Sequence, residues 1–290
     1  AHIAVYAIGA YTTALLLLDY PNLNFFICFF ASGLAGFLCA LLLAYVSVRL
    51  KSDYFAIATL GLAYLVLALL INWKSLTRGV LGIPGIPRPR IGSFVFIDNY
   101  HFLLLVFALD IVILGLLYAL FKSSIARRLK ASSEYEEAAE ALAIDVLADR
   151  RFSFLVASVG AGFAGSLFSY YFSFIEPFSF SLNEMLFVFS IVIIGSPGSF
   201  WGVLAATIFL VLLPEPLRFT GEVQGWIETF FHLPEGGALK VPVLKWVIAF
   251  FNFTANPSVL GPMRQMLYAI ILFLVVYINR KRLFATLRSV

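Results

Sequence analysis

Long apolar runs separated by short polar or Gly/Pro-rich joints set the pattern of this chain. Runs at 1–18, 25–48, 54–73, 102–121 and 152–175 each fall in the range of about 17 to 25 residues that a helix needs to cross the hydrocarbon core of a bilayer. A further run at 184–213 is interrupted by Gly195-Ser196-Pro197-Gly198-Ser199, and another at 265–279 follows it. The stretch 241–253 is shorter and carries Lys245, which fits an interfacial helix better than a span. None of these runs alternates with period two, so their backbone groups must be satisfied within helices and not between barrel strands. The expected fold is all-α: a polytopic helical membrane protein with about 7–8 membrane segments, one of them broken.

Composition agrees. With 62% hydrophobic residues, 12% charged residues, 31 Phe and a mean hydropathy of +0.97, the chain has too little polar surface to enclose a soluble core. Its net charge of +4 sits in short clusters beside apolar runs. That distribution sets membrane orientation, and it lacks the basic stripe with stacking aromatics that a nucleic-acid surface requires. Arg49, Lys51, the cluster Lys122, Arg127, Arg128, Lys130, Arg150 and Arg151, and the tail with Arg280, Lys281, Arg282 and Arg288 form the best cytoplasmic set. The joint from Lys74 to His101 then lies outside, although it carries Lys74, Arg78, Arg88 and Arg90. Cys28 and Cys39 lie eleven residues apart in one run, about 16 Å along a helix, too far for a disulfide. They read as small buried residues.

Three places break the apolar monotony with chemistry. Pro197 cannot continue a helix, because it lacks an N–H and clashes with the preceding turn. Gly195, Pro197 and Gly198 therefore mark either two half-helices meeting within the membrane or a kinked helix in the bundle. Asp110 falls near the centre of run 102–121, where an ionised carboxylate costs several kcal/mol unless it faces water or a partner. It fits a path-lining or interface group, or equally a protonated acid bonded to a neighbouring helix. Finally, residues 122–151 form the one long polar loop. Ser133 followed by Glu136 reads as a capping box starting a helix near Glu134, and Tyr135, Ala138, Ala139, Leu142 and Val146 then share one stripe. On the next run, Ala161 and Gly165 have small-xxx-small spacing, which permits close helix contact. The glycines and prolines of 79–89 lack the Lys-Ser/Thr ending of a phosphate loop. No nucleophile–base pair and no zinc-ligand spacing rises above chance, so catalytic and metal sites are expected to be none.

The segment 52–89, SDYFAIATLGLAYLVLALLINWKSLTRGVLGIPGIPRP, resembles the corresponding part of permease subunits of branched-chain amino acid ABC transporters, the LivM-like family. Those proteins show D-Y-F-A-I-x-T-L-G, an apolar helix, and then S-L-T-x-G-x-x-G-I-x-G-I-P-R-P. A second block, EYEEAAEALAIDV, resembles the family's E-x-E-x-A-A-E-A-L-G-I-[ND]-V loop, and A-G-x-A-G-x-L and I-x-P-x-S-F elements follow it. A third, from Gly195, resembles G-G-x-G-[ST]-x-x-G-P. The chain departs from the family at Arg78 and at Val80-Leu81, where Gly-Gly-Pro-Asn is usual across 78–81. It departs also at Ala143 and Ser196, where Gly is usual, and at Ser132, Ser133 and Val203. Residues His2 to Thr12 match the latter part of a family segment that normally follows another helix, so one or more N-terminal spans are expected to be missing.

The resemblance implies a single permease domain, 1–290, with a cytoplasmic coupling loop at 122–151 and an insertion of unassigned role at 217–264. It implies a multi-pass protein of the bacterial inner (plasma) membrane that moves branched-chain amino acids by alternating access. The implied partners are a second homologous permease subunit, two ATP-binding subunits that use ATP and Mg, an extracytoplasmic substrate-binding protein and the lipid bilayer. No cofactor is expected on this chain and no nucleic acid. Glu136, Glu137, Ala138, Ala139, Glu140, Ala141 and Leu142 would couple to the ATPases, and Tyr54, Thr59, Asn72, Thr77, Gly79, Gly82 and Asp110 would line the translocation path. The alternatives are a permease for urea or short amides and an ATP-independent channel or carrier.

Overall fold

The computed structural model of the chain describes residues 2–47 and 52–213, together with Met266, 268–271 and Phe273. The expected insertion at 217–264, the stretch 241–253 and most of run 265–279 lie outside the described residues, as do Arg49, Lys51 and the basic tail. The chain divides into two compact units, Ala1–Met185 and Leu186–Val290.

The first unit opens with three long helices, α1 (His2–Asp19), α2 (Phe25–Ser47) and α3 (Ser52–Asn72). A short α4 (Lys74–Thr77) and a 3-10 turn (Gly79–Leu81) follow. Two-residue strands β1 (Ile83–Pro84), β2 (Arg90–Ile91) and β3 (Phe94–Val95) lead into α5 (Asn99–Lys122). Next come α6 (Ser124–Glu134), α7 (Glu136–Ala141), α8 (Val146–Phe172), β4 (Phe174–Ile175), a 3-10 turn (Pro177–Phe180) and α9 (Leu182–Ile194), which reaches into the second unit and precedes α10 (Phe200–Leu212). Among the described residues five helices are long and apolar enough to cross a membrane, or six if the pair Ile57–Asn72 and Lys74–Leu81, bent by 71°, forms one span.

Helices α1, α2 and α8 form the heart of the first unit. Lipid supplies no hydrophobic drive between helices, so close backbone approach and buried polar contacts must hold them. Gly162 packs so tightly on α2 that an added Cβ would lie 2.5 Å from the Ser32 carbonyl oxygen. Gly165 meets the Tyr6 backbone on α1 in the same way, and Ala161 beside them is buried. Three hydroxyls meet in this seam: Thr13 Oγ1 donates to Ser166 Oγ at 2.8 Å and lies 2.6 Å from Ser32 Oγ. Ser169 Oγ donates to the Ala10 carbonyl at 2.8 Å. Phe29 stacks on Phe163 at 4.3 Å, adding contact area between α2 and α8.

The joint after α3 is folded tightly. Thr77 Oγ1 shares its proton between the Leu70 and Trp73 carbonyls, at 2.6 and 2.9 Å, and accepts from Gly79 N–H at 3.2 Å. β1 pairs antiparallel with β4, Ile83 opposite Ile175, while β2 and β3 form a hairpin. Arg90 Nη1 reaches Asn22 Oδ1 at 2.8 Å, tying the hairpin to the α1–α2 turn.

Among the described residues four non-glycine residues have positive φ: Arg78, Ala143, Ser173 and Ser196, at 60, 59, 55 and 64°. Three of them, Arg78, Ala143 and Ser196, are positions where the resemblance noted above would lead one to expect glycine. The left-handed region costs an L-residue about 1–2 kcal/mol, which is the physical reason for glycine there.

Candidate functional site

The polar loop folds into two helices and not the single capped helix that its spacing predicts. Ser123 caps α6, accepting from Ala126 N–H at 3.3 Å, and α6 then runs on to Glu134. Ser133, inside that helix, spends its proton on the Lys130 carbonyl at 2.9 Å and caps nothing. Tyr135, at φ −140°, turns the chain, and α7 begins at Glu136 without a side-chain cap. The expected common stripe is broken too. Tyr135 and Leu142 are 65% and 77% exposed while Ala139 and Val146 are buried, because the chain leaves α7 at Leu142 and restarts as α8 at Val146. The exit is a Schellman turn: Ile144 N–H bonds to the Ala139 carbonyl at 3.0 Å and Ala143 N–H to the Glu140 carbonyl at 2.9 Å, with Ala143 left-handed. Asp145 then caps α8, accepting from Ala148 N–H at 2.9 Å.

Of the expected coupling residues, Glu136, Glu137, Ala138, Glu140, Ala141 and Leu142 are exposed, and Ala139 alone faces the body. Two ion pairs tie this region to α8, one from α7 and one from α6. Glu136 Oε2 meets Arg150 Nη2 at 2.6 Å, both half exposed. Asp149 Oδ1 meets Arg128 Nη2 at 2.7 Å, with the Asp149 side chain only 2% exposed. The Arg128 approach is oblique, so neither Asp149 oxygen receives an aligned hydrogen bond and the contact is one of charge. Between the start of α3, α6, α7 and the first turns of α8 lies a cavity of about 490 Å³, lined by Phe55, Leu129, Ser132, Val146, Asp149, Arg150 and Phe154, among others. Sequence reading missed the Arg128–Asp149 pair, because 21 positions and a turn separate the partners. The detectable signal was a lone acid, Asp149, at the mouth of an apolar run.

The expected path residues separate into two groups. Tyr54, Asn72 and Asp110 are exposed, whereas Thr59, Thr77, Gly79 and Gly82 are buried. Thr77, Gly79 and Gly82 belong to the tight joint, and a Cβ on Gly82 would collide with the Ile175 carbonyl of the β1–β4 pairing. On α3 the exposed positions Tyr54, Ile57, Gly61, Leu65, Ala68 and Asn72 follow helical spacing, a continuous open face with a phenol at one end and a carboxamide at the other. Asp110 stands on α5, where Phe102 is the one buried residue. It has no hydrogen bond or ion pair among the described residues.

In the second unit the helix does break. α10 has 13 residues, about 20 Å of helix, short of the roughly 30 Å hydrocarbon core, whereas α9 with the 3-10 turn before it makes the 18-residue apolar stretch Pro177–Ile194, one of the five possible spans. Ser196 and Gly198 take positive φ between them, Ser199 caps α10 by accepting from Gly202 N–H at 3.1 Å, and a Cβ on Gly195 would come 2.5 Å from Val203 Cα.

Comparison with known proteins accords with this architecture. Residues 1–276 match the family model described as branched-chain amino acid transport system / permease component. The chain is 35% identical over 237 residues to the high-affinity branched-chain amino acid transport system permease protein LivM of Salmonella typhimurium (strain LT2). It is likewise 35% identical over 237 residues to the protein of the same description in Escherichia coli (strain K12). Each match covers 73% of this chain and 55% of the relative, so the chain spans about half the length of these relatives. No solved structure matches. With the family model matched over residues 1–276 and 35% identity to the two LivM proteins, the chain belongs to the family of branched-chain amino acid transport permease components.

Proposed function

We propose that this chain is the membrane-spanning subunit of an ATP-driven importer of branched-chain amino acids in the bacterial inner membrane. A second permease subunit would complete the passage, two ATP-binding subunits would hold ATP and Mg on the cytoplasmic side, and a substrate-binding protein would deliver cargo outside. The observation that carries this reading is α7, a helix whose side chains project outward except Ala139 and which is tied to α8 by the Glu136–Arg150 ion pair, while Arg128–Asp149 ties the preceding α6 to α8.

Such a helix transmits force well. A partner that pulls on Glu137, Glu140 and Leu142 moves α7 as a unit, since its Schellman turn and the Glu136–Arg150 pair resist peeling. The displacement passes to α8 through Arg150, Asp149 and Ala139. Because α8 meets α1 and α2 through glycine contacts with no slack, it cannot shift without carrying those helices, and packed interfaces of this kind switch between discrete arrangements. The open α3 face from Tyr54 to Asn72 would then line the passage. It offers weak, mostly apolar contact suited to an aliphatic cargo that must also leave.

The test is ATP-driven leucine uptake in proteoliposomes holding the chain with its co-expressed partners. Glu137→Arg with Ala138→Trp alters two exposed positions on α7 and leaves Ala139 in place. Loss of uptake with the chain still in the membrane supports coupling through α7; undiminished uptake overturns it.

A further inference from the structure

We propose that the cavity between α3, α6, α7 and α8 binds a free zwitterionic aliphatic amino acid on the side of the membrane from which α7 projects. The naming of that side as cytoplasmic, and of the occupant as the transported product, rests on the transport reading above. The site's chemistry does not.

Its volume of about 490 Å³ lies within the roughly 300–1,000 Å³ typical of small-ligand pockets. Asp149 is nearly sealed from solvent, yet neither of its oxygens accepts an aligned hydrogen bond. Arg128 meets the charge of this carboxylate but leaves its acceptor capacity largely open, and an ammonium supplies three donors. The neighbouring Arg150 gives Nη2 to Glu136, which leaves further guanidinium N–H groups for a carboxylate. Ser132 and Ser153 donate to the Leu129 and Asp149 carbonyls, so their oxygens remain acceptors.

Charge balance narrows the class. Asp149 and Glu136 are matched by Arg128 and Arg150, so the neutral surroundings favour a guest with no net charge but with both signs on it. The remaining wall is Phe55, Leu129, Val146 and Phe154, with Ser133 beside them donating to the Lys130 carbonyl, and its apolar part suits a branched aliphatic side chain. Occupancy would bridge α3, α6 and α8 behind α7. Accumulated product would therefore hold the clamp in one arrangement and slow further uptake.

The probe is the diazirine analogue of leucine, photo-crosslinked to the wild-type complex in nanodiscs and mapped by peptide mass spectrometry. The expected label falls on peptides carrying Phe55 and Phe154. Excess leucine should reduce it at least tenfold, whereas 4-methylpentanoate, without the ammonium, and 3-methylbutylamine, without the carboxylate, should not. Asp149→Asn should lower labelling at least tenfold per mole of chain, and Asp149→Glu should restore most of it. Label confined to other segments, or equal competition by all three compounds, overturns the proposal. Failure of ATP-driven uptake in the same preparation would overturn the transport reading instead and leave the labelling result standing.

Discussion

Replacing Ala143 by glycine removes one methyl group from an exposed turn and should nevertheless stabilise the helix on which the transport reading depends. Ala143 has φ 59° and closes the Schellman turn of α7. The left-handed region costs alanine about 1–2 kcal/mol. Glycine avoids that cost but loses about 0.5–1 kcal/mol more backbone entropy on folding. The net gain is about 0.5–1 kcal/mol, with no packing lost, since Ala143 is exposed. This gain belongs to local opening of α7 and not to global unfolding. Amide hydrogen exchange on the complex in nanodiscs should therefore show the Ala139 to Ile144 amides exchanging about two- to fivefold more slowly, the exponential of that free energy over RT. Ala141→Gly, two residues earlier but inside the helix, should speed the same amides by a comparable factor, because glycine there costs about 1 kcal/mol. Equal exchange in Ala143→Gly and the parent, or the same direction in both variants, would refute the assignment of a strained helix terminus.

Two further substitutions probe what holds the fold. Arg128→Ala should destabilise by about 3–5 kcal/mol because it strands the buried Asp149 carboxylate, whereas Arg150→Ala removes a half-exposed pair and should cost no more than about 1 kcal/mol; thermal unfolding in detergent ranks them, and equal effects would contradict the difference in burial. Gly162→Ala places a Cβ 2.5 Å from the Ser32 carbonyl and should cost about 1–3 kcal/mol through overpacking, read as a lowered thermal midpoint, with an unchanged midpoint counting against the glycine seam.

Much of the bundle was legible because membrane thickness, a one-dimensional constraint, fixes the length of each apolar run. α1, α2, α3, α5 and α8 begin and end within a few residues of their runs, with α8 starting earliest, at Val146, because Asp145 caps it. Pro197 and its glycines likewise forecast the break between α9 and α10. The polar loop was misread for a local reason. Ser133 had the right spacing to Glu136 for a capping box, but its hydroxyl had a nearer acceptor at Lys130 once Ser123 had started a helix ten residues earlier. Of the expected path residues, Thr77, Gly79 and Gly82 stand in the tight joint after α3, and a residue needed for a turn looks in the sequence like one needed for cargo contact. Arg78, Ala143 and Ser196 were visible as departures from a family pattern, and their reason became visible only as backbone angles. Contacts such as Thr13 with Ser166 or Arg128 with Asp149 depend on which helices cross, which no local period records.

The measurement that bears most directly on the coupling role of α7 is site-specific photo-crosslinking from position 142. Leu142 is 77% exposed at the tip of that helix, so a photoreactive residue there reports whatever covers it. In native membranes solubilised gently, the account predicts one dominant adduct, to an ATP-binding subunit, whose yield changes between nucleotide-free and ATP-bound complexes. Adducts to lipid alone, or to no protein in either state, would contradict it.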